Sequence, residues 1–201
     1  LDTGALAPGP RLRHLGGPAG AGTQRTGRSH RPLLPPCVRP GDSHRRIAAR
    51  KETAYGERKR EIAAELTVHF EKGRELTRAV HYLGKAGENA VRRRAHQEAI
   101  SHLTKGLDLL TILPETPEHA QQELQLHLTL GTSLMATKGY AAPELERLYA
   151  RARELCQQLK ETPQLPAVLG GLWVFYATRA RLRTARELAE QYLTVAGTRQ
   201  R

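Results

Sequence analysis

Apolar and small residues recur through most of this chain at helical spacing, and that recurrence leaves few folds open. Leu76 to Arg94 carries Val80, Leu83, Gly87, Ala90 and Val91 on one face. His96 to Leu113 carries Ala99, Ile100, Leu103, Leu107 and Leu110. Pro143 to Leu159 carries Leu145, Leu148, Tyr149, Ala152 and Leu155. Stripes of this period fit one buried face of an amphipathic helix. No stretch alternates with the period of two that a half-buried strand requires. The expected fold class is therefore all-α.

Breakers divide the pattern into about eight helices. His44 to Tyr55 is a short basic helix closed by Gly56, a residue suited to a helix C-terminus. Glu57 to Lys72 presents Ile62, Leu66, His69 and Phe70 and stops at Gly73. Pro114 ends the helix that begins at His96, because proline cannot continue a helix. Thr116-Pro117 opens the next, with proline in the first helical position, and that helix reaches about Met135. Lys138-Gly139-Tyr140 is a turn, and Pro163 to Thr178 and Leu182 to Ala196 form the last pair. Links this short favour antiparallel neighbours.

The small residues fall into a repeating frame. Gly87, Ala90, Ala99, Leu103 and Gly106 match the tetratricopeptide template of small and aromatic positions in a helix pair. Trp173, Tyr176, Ala185, Ala189 and Tyr192 match it again, and a third copy runs from Gly131 through Tyr149 and Ala152 with about two extra residues at Tyr140–Pro143. One such pair cannot bury its own apolar face, so several must stack. The expected architecture is a tetratricopeptide-like α-solenoid of antiparallel helix pairs over residues 44–201. Trp173 is expected to be a packing residue.

Residues 1–43 have another composition. Gly, Pro, Arg and Ser dominate and no periodicity is sustained. Such a segment buries too little apolar surface to offset its ordering entropy, so a disordered basic tail is expected. The formal charge of the whole chain is +12, which raises nucleic acid, acidic proteins and anionic membrane surfaces as partners. The two cysteines, Cys37 and Cys156, make neither a disulfide framework nor a zinc site. No apolar run approaches a membrane span and no signal-peptide core opens the chain, so a cytoplasmic location is expected. The chain starts on Leu1 and no polar capping helix follows Ala196; both read as marks of a fragment.

Few constellations could carry chemistry. Gly17 to Thr23 has the glycine spacing of a phosphate loop, but Thr23 and Gln24 replace the lysine and hydroxyl that such a loop needs. Histidines are frequent without H-E-x-x-H spacing, and His119 and Glu123 share a helix face without a second ligand. The glutamates fall on wet helix faces, with no pair singled out for acid–base work. Ser101, Ser133 and Cys156 lack a nucleophile motif. Arg92-Arg93-Arg94, with Arg78, Lys85 and Lys105, forms a basic cluster around one helix pair that could contact phosphates. In a stack of helix pairs the first helices line the groove. Placing Gly87 at the eighth template position turns His81, Gly84, Glu88 and Arg92 toward it, and His81, Glu88 and Arg92 are the candidate partner contacts.

A longer run carries a family likeness. It comprises Glu61-Ile62-Ala63-Ala64-Glu65-Leu66 with His69-Phe70, Arg78-Ala79-Val80-His81-Tyr82-Leu83, Glu98-Ala99-Ile100, and Leu107 to Leu110 with Leu113-Pro114. Its most distinctive part is Leu134 to Glu144, followed by Tyr149 to Cys156. From about residue 44 to 196 the chain resembles the tetratricopeptide-containing region C-terminal to the ATPase module of large bacterial signalling ATPases. In that family the ATPase often follows an adenylate or guanylate cyclase, a kinase or a DNA-binding domain. The family's nucleotide-binding and cyclase residues lie upstream of this region, and none falls on a position here.

The resemblance implies a non-catalytic protein-interaction or sensor segment that binds a protein, peptide or effector, with the upstream ATPase or cyclase module as a possible partner. No enzyme activity, cofactor, metal site or membrane partner is expected. The alternative is a nucleic-acid-binding protein that uses the basic tail and the Arg92–Arg94 cluster.

Overall fold

The computed structural model describes residues 39, 41–160 and 163–198, which form eight α-helices, one 3-10 turn and no strand. The helices are α1 (Asp42–Tyr55), α2 (Ala63–Lys72), α3 (Leu76–Arg92), α4 (His96–Leu110), α5 (Pro117–Lys138), α6 (Pro143–Gln158), α7 (Leu165–Thr178) and α8 (Leu182–Thr198). The tail expected over 1–43, and with it Gly17–Thr23 and Cys37, lies outside the described residues except at its end, where Asp42 and Ser43 already belong to α1. The single helix expected from Glu57 to Lys72 is divided. Gly56 takes φ 48° and ψ −117°, and Gly56–Arg60 coils as a 3-10 turn before α2 begins. That turn has no buried residue, so no packed face holds its exposed Arg58-Lys59-Arg60 run in a regular helix.

Three links repeat one backbone pattern. In Gly73-Arg74-Glu75, the Arg74 and Glu75 N–H groups donate to Glu71 and Phe70 O. In Arg93-Arg94-Ala95, those of Arg94 and Ala95 donate to Val91 and Ala90 O. In Arg179-Ala180-Arg181, those of Ala180 and Arg181 donate to Ala177 and Tyr176 O. Each middle residue is left-handed, with φ 58°, 60° and 55°. This is the paired 5→2 and 6→1 bonding of a Schellman helix end, made without glycine at the left-handed position. Each link then starts the next helix alike: Glu75, Ala95 and Arg181 O accept from the N–H groups of Ala79, Ala99 and Ala185. Those three alanines are buried.

Each helix packs on the next in sequence, and α3 also packs on α5 and α5 on α7. Named contacts fix the directions. Tyr176 Oη, near the end of α7, donates to Glu146 at the start of α6 (2.7 Å). Lys105, late in α4, reaches Glu71 at the end of α2 (2.7 Å). Neighbours are therefore antiparallel, and alternate helices run the same way.

Glycines let the helices approach. An added Cβ at Gly87 would meet the Leu103 side chain of α4, with Cδ2 at 2.6 Å. The Tyr149 ring of α6 lies between two of them. A Cβ at Gly131 on α5 would come within 2.9 Å of its Cζ, and one at Gly171 on α7 would meet Cε2 at 2.7 Å and two other ring carbons closer still. The buried apolar side chains form two clusters. The smaller joins α1, α2 and one face of α3 through Ala48, Leu66, Phe70, Ala79, Tyr82 and Ala86. The larger takes Val80 and Ala90 from the other face of α3 and runs on to Leu188 of α8.

Trp173 departs from its expected packing role: it is 45% exposed, as is Tyr192 at 40%. Aligning Arg94 with Ala180 places Trp173 at the position of Gly87 and Ala189 at that of Leu103. At these two aligned positions the large and small residues have exchanged helices.

Candidate functional site

His81, Glu88 and Arg92 all lie on α3. His81 and Arg92 are exposed and Glu88 is half-buried. The His81 ring stands edge-on to Tyr82, with centroids 5.2 Å apart. Although one side of the ring is open to solvent, desolvation by the protein on its other side, with Lys85 and Lys59 nearby, holds its pKa below the usual imidazole value. It is therefore a neutral hydrogen-bonding group near pH 7. Glu88 accepts from Lys85 Nζ at 3.2 Å through both oxygens. Arg92 donates to Asn89 Oδ1, leaving the rest of its guanidinium to solvent. Gly84 stands beside α5, and an added Cβ there would lie 3.3 Å from Leu126 Cδ2.

Sequence reasoning stopped at α3 because the equivalent positions on α5 carry no charge. Gly87 and Gly131 both receive a side chain from the following helix. Matching them sets Gln125 and Thr132 against His81 and Glu88, and both are exposed. On α7 the corresponding positions are Ala167 and Val174. The row α3–α5–α7 thus grades from charged, through neutral polar, to small and apolar.

The basic cluster read from the sequence separates into two groups. Arg78 pairs with Glu52 and Glu75, Lys85 with Glu88, and Lys105 with Glu71. Those three cations are tied within the fold. Arg92, Arg93 and Arg94 are exposed at the end of α3, and of them only Arg93 has a carboxylate, Glu98, at 3.0 Å.

One concavity was not foreseen. A cleft of about 900 Å³ lies between the C-terminal ends of α4 and α6, over the first half of α5. Leu107, Leu110, Leu155 and Leu159 give it apolar walls. On one wall Arg151 forks onto Glu123, with Nε donating at 2.8 Å and Nη2 at 3.2 Å. His127 Nε2 is 3.5 Å from the same carboxylate. His127 and then Arg151 hold the Glu123 pKa down to about 2, although burial opposes them. A carboxylate so stabilised is no proton carrier near neutral pH; it ties α5 to α6. His119 does not join it, because its Nδ1 is 2.7 Å from Pro114 O. Only the helix alternation could have announced the Glu123–Arg151 pair, since the two stand far apart in sequence.

Other potentially reactive groups are isolated. Cys156 is a buried free thiol. His44 and His69 bring their Nδ1 atoms within 3.1 Å, but among the described residues no group of three or more His, Cys, Asp or Glu could hold a metal ion. No described helix is long and apolar enough to cross a membrane. Comparison with family models, curated proteins and solved structures finds no match to the chain.

Proposed function

We propose that the chain is a tetratricopeptide-like solenoid that binds a partner protein or peptide along the α3–α5–α7 row. It would serve as the interaction or sensor segment of a bacterial signalling ATPase, without catalysis of its own. The observation that carries this reading is the recurrence of one helix-ending turn with a buried alanine after it, combined with direct α3–α5 and α5–α7 packing. A row of parallel first helices offers side chains at regular spacing to an extended chain. The graded row favours a peptide with charged groups at one end and small apolar groups at the other. The ATPase context rests on the resemblance of residues 44–196 described above.

Selection of a displayed random-peptide library on the full chain tests the reading. Binders should lose about tenfold in affinity with His81→Ala, Glu88→Ala or Arg92→Ala, the scale of a contact residue. Gln97→Ala on the exposed side of α4 should leave them unchanged. Binders indifferent to all three α3 substitutions would refute the assignment of the groove.

A further inference from the structure

Alternating helix directions bring every second link to the same edge of the molecule. The α3–α4, α5–α6 and α7–α8 links share one edge, as the Tyr176–Glu146 bond requires for the last two and the same-direction packing of α3, α5 and α7 requires for all three. The first link carries Arg92, Arg93 and Arg94, and the last carries Arg179 and Arg181 with Arg183 just beyond; all six are exposed. The 3-10 turn adjoins this edge, since Asn89 Nδ2 donates to Arg60 O at 2.5 Å, and it adds Arg58, Lys59 and Arg60. Between the two arginine groups stands Tyr140, 56% exposed, on the link after Lys138.

Carboxylates on this edge are fewer. Glu57 and Glu61 flank the basic run of the 3-10 turn, Glu98 faces Arg93, Glu144 faces Lys138, and Glu146 accepts from Tyr176. Arg94, Arg181 and Arg183 have no carboxylate partner among the described residues. The opposite edge is nearer to balance: Lys72, Arg74, Lys105 and Lys160, with Arg39, Arg45, Arg46 and Arg78, stand against Asp42, Glu71, Glu75, Asp108, Glu115 and Glu118.

We propose that this edge binds single-stranded nucleic acid, the arginine groups holding phosphates and Tyr140 stacking on a base between them. The surface adjoins the α3–α5–α7 face and shares Arg92 with it, so the test below leaves Arg92 in place. Arginine matches phosphate with a planar fork of donors. Cations in a line with an aromatic ring between them are the arrangement that tracks a flexible strand. Adjacent packed helices are about 8–10 Å apart, so the two arginine groups, two helix steps apart along α3–α5–α7, span about 20 Å. The large apolar side chain exposed among these arginines is Leu182, which gives a bilayer little to bury.

Anisotropy of a labelled oligothymidylate with the full chain is the test. One triple variant, Arg94→Asn/Arg181→Asn/Arg183→Asn, removes three charges from the proposed edge. A second, Lys72→Asn/Arg74→Asn/Lys160→Asn, removes equal charge from the opposite edge. Asparagine tolerates the left-handed conformation of Arg74, Arg94 and Lys160, so both variants keep their links. Residues 1–38 are common to both, and circular dichroism confirms folding.

The first variant should lose at least tenfold in affinity, and its slope of log K against log salt should flatten by about 2, for three phosphates at about 0.7 each. The second should stay within about twofold. Tyr140→Ala should weaken binding about fivefold or more with the slope unchanged. Absence of binding at low salt, equal loss in the two triple variants, tighter binding to duplex DNA, or binding to phosphatidylserine vesicles alone would each overturn the proposal.

Discussion

Gly170 and Gly171 are neighbours on α7, and substitution by alanine should move stability in opposite directions. A Cβ at Gly170 would meet only Tyr192 Cε2, at 4.0 Å, an ordinary contact. There the change contributes helix propensity alone, about 0.5–1 kcal/mol of stabilisation. A Cβ at Gly171 would enter the Tyr149 ring, where Cε2 would be 2.7 Å away against a comfortable carbon separation of about 3.5–4.0 Å. The ring is rigid and backed by Gly131, whose own Cβ position lies 2.6 Å from Tyr149 Oη, so it cannot retreat toward α5. Overpacking of this kind costs about 1–3 kcal/mol, and three overlapping ring carbons put Gly171 at the upper end. After the propensity gain, a net loss of about 2 kcal/mol remains. For a chain of this size that lowers the melting temperature by about 4–8 °C, while Gly170→Ala raises it by about 2–4 °C. Thermal and urea melts followed by circular dichroism measure both. In a Tyr149→Leu background, Gly171→Ala should cease to destabilise. Shifts of the same sign at the two positions, or a Gly171→Ala penalty that persists without the ring, would refute the packing argument.

Two further outcomes follow from local geometry. Glu123 has a folded pKa of about 2 against an ordinary glutamate value of 4.5. A carboxylate with a depressed folded pKa stabilises the fold above its unfolded pKa and loses that contribution as pH falls through the folded one. The window is therefore about pH 4.5 down to 2. Glu123→Gln should cost about 1–2 kcal/mol at pH 7 after allowance for solvent screening, and its deficit should vanish by pH 2 in urea melts; a constant deficit would remove the ion pair as cause. Ala180 is exposed at φ 55°, where a Cβ is strained, so Ala180→Gly should stabilise by about 0.5–1 kcal/mol, and a destabilised variant would show that the left-handed link carries no strain.

Most helices were legible because their apolar period and their breakers agree. Pro117 and Pro143 open α5 and α6 where expected. The inward set Leu145/Leu148/Tyr149/Ala152/Leu155 is buried throughout, and of Ala99, Ile100, Leu103, Leu107 and Leu110 the first and third are buried and the others half-buried. What failed needed contacts between helices. The division of the 57–72 segment depends on Arg58-Lys59-Arg60 finding no face to pack against. Trp173 fits the template by position, yet it stands 45% exposed. Arg78 and Lys105 look like free cations in sequence because Glu52 and Glu71, which neutralise them, lie on other helices. The charge of one edge became readable only once the helix directions were known.

The two apolar clusters meet at α3, which gives Ala79, Tyr82 and Ala86 to one and Val80 and Ala90 to the other. Cooperativity in stacked helices is handed along from neighbour to neighbour, and here it passes through α3 with only Leu109 and the Lys105–Glu71 pair of α4 beside it among the described residues. The α1–α2 layer is therefore expected to open before the α4–α8 packing does, at the loss of those two contacts. Loss of that layer would bare the Tyr82 side of α3 and leave the row of first helices intact.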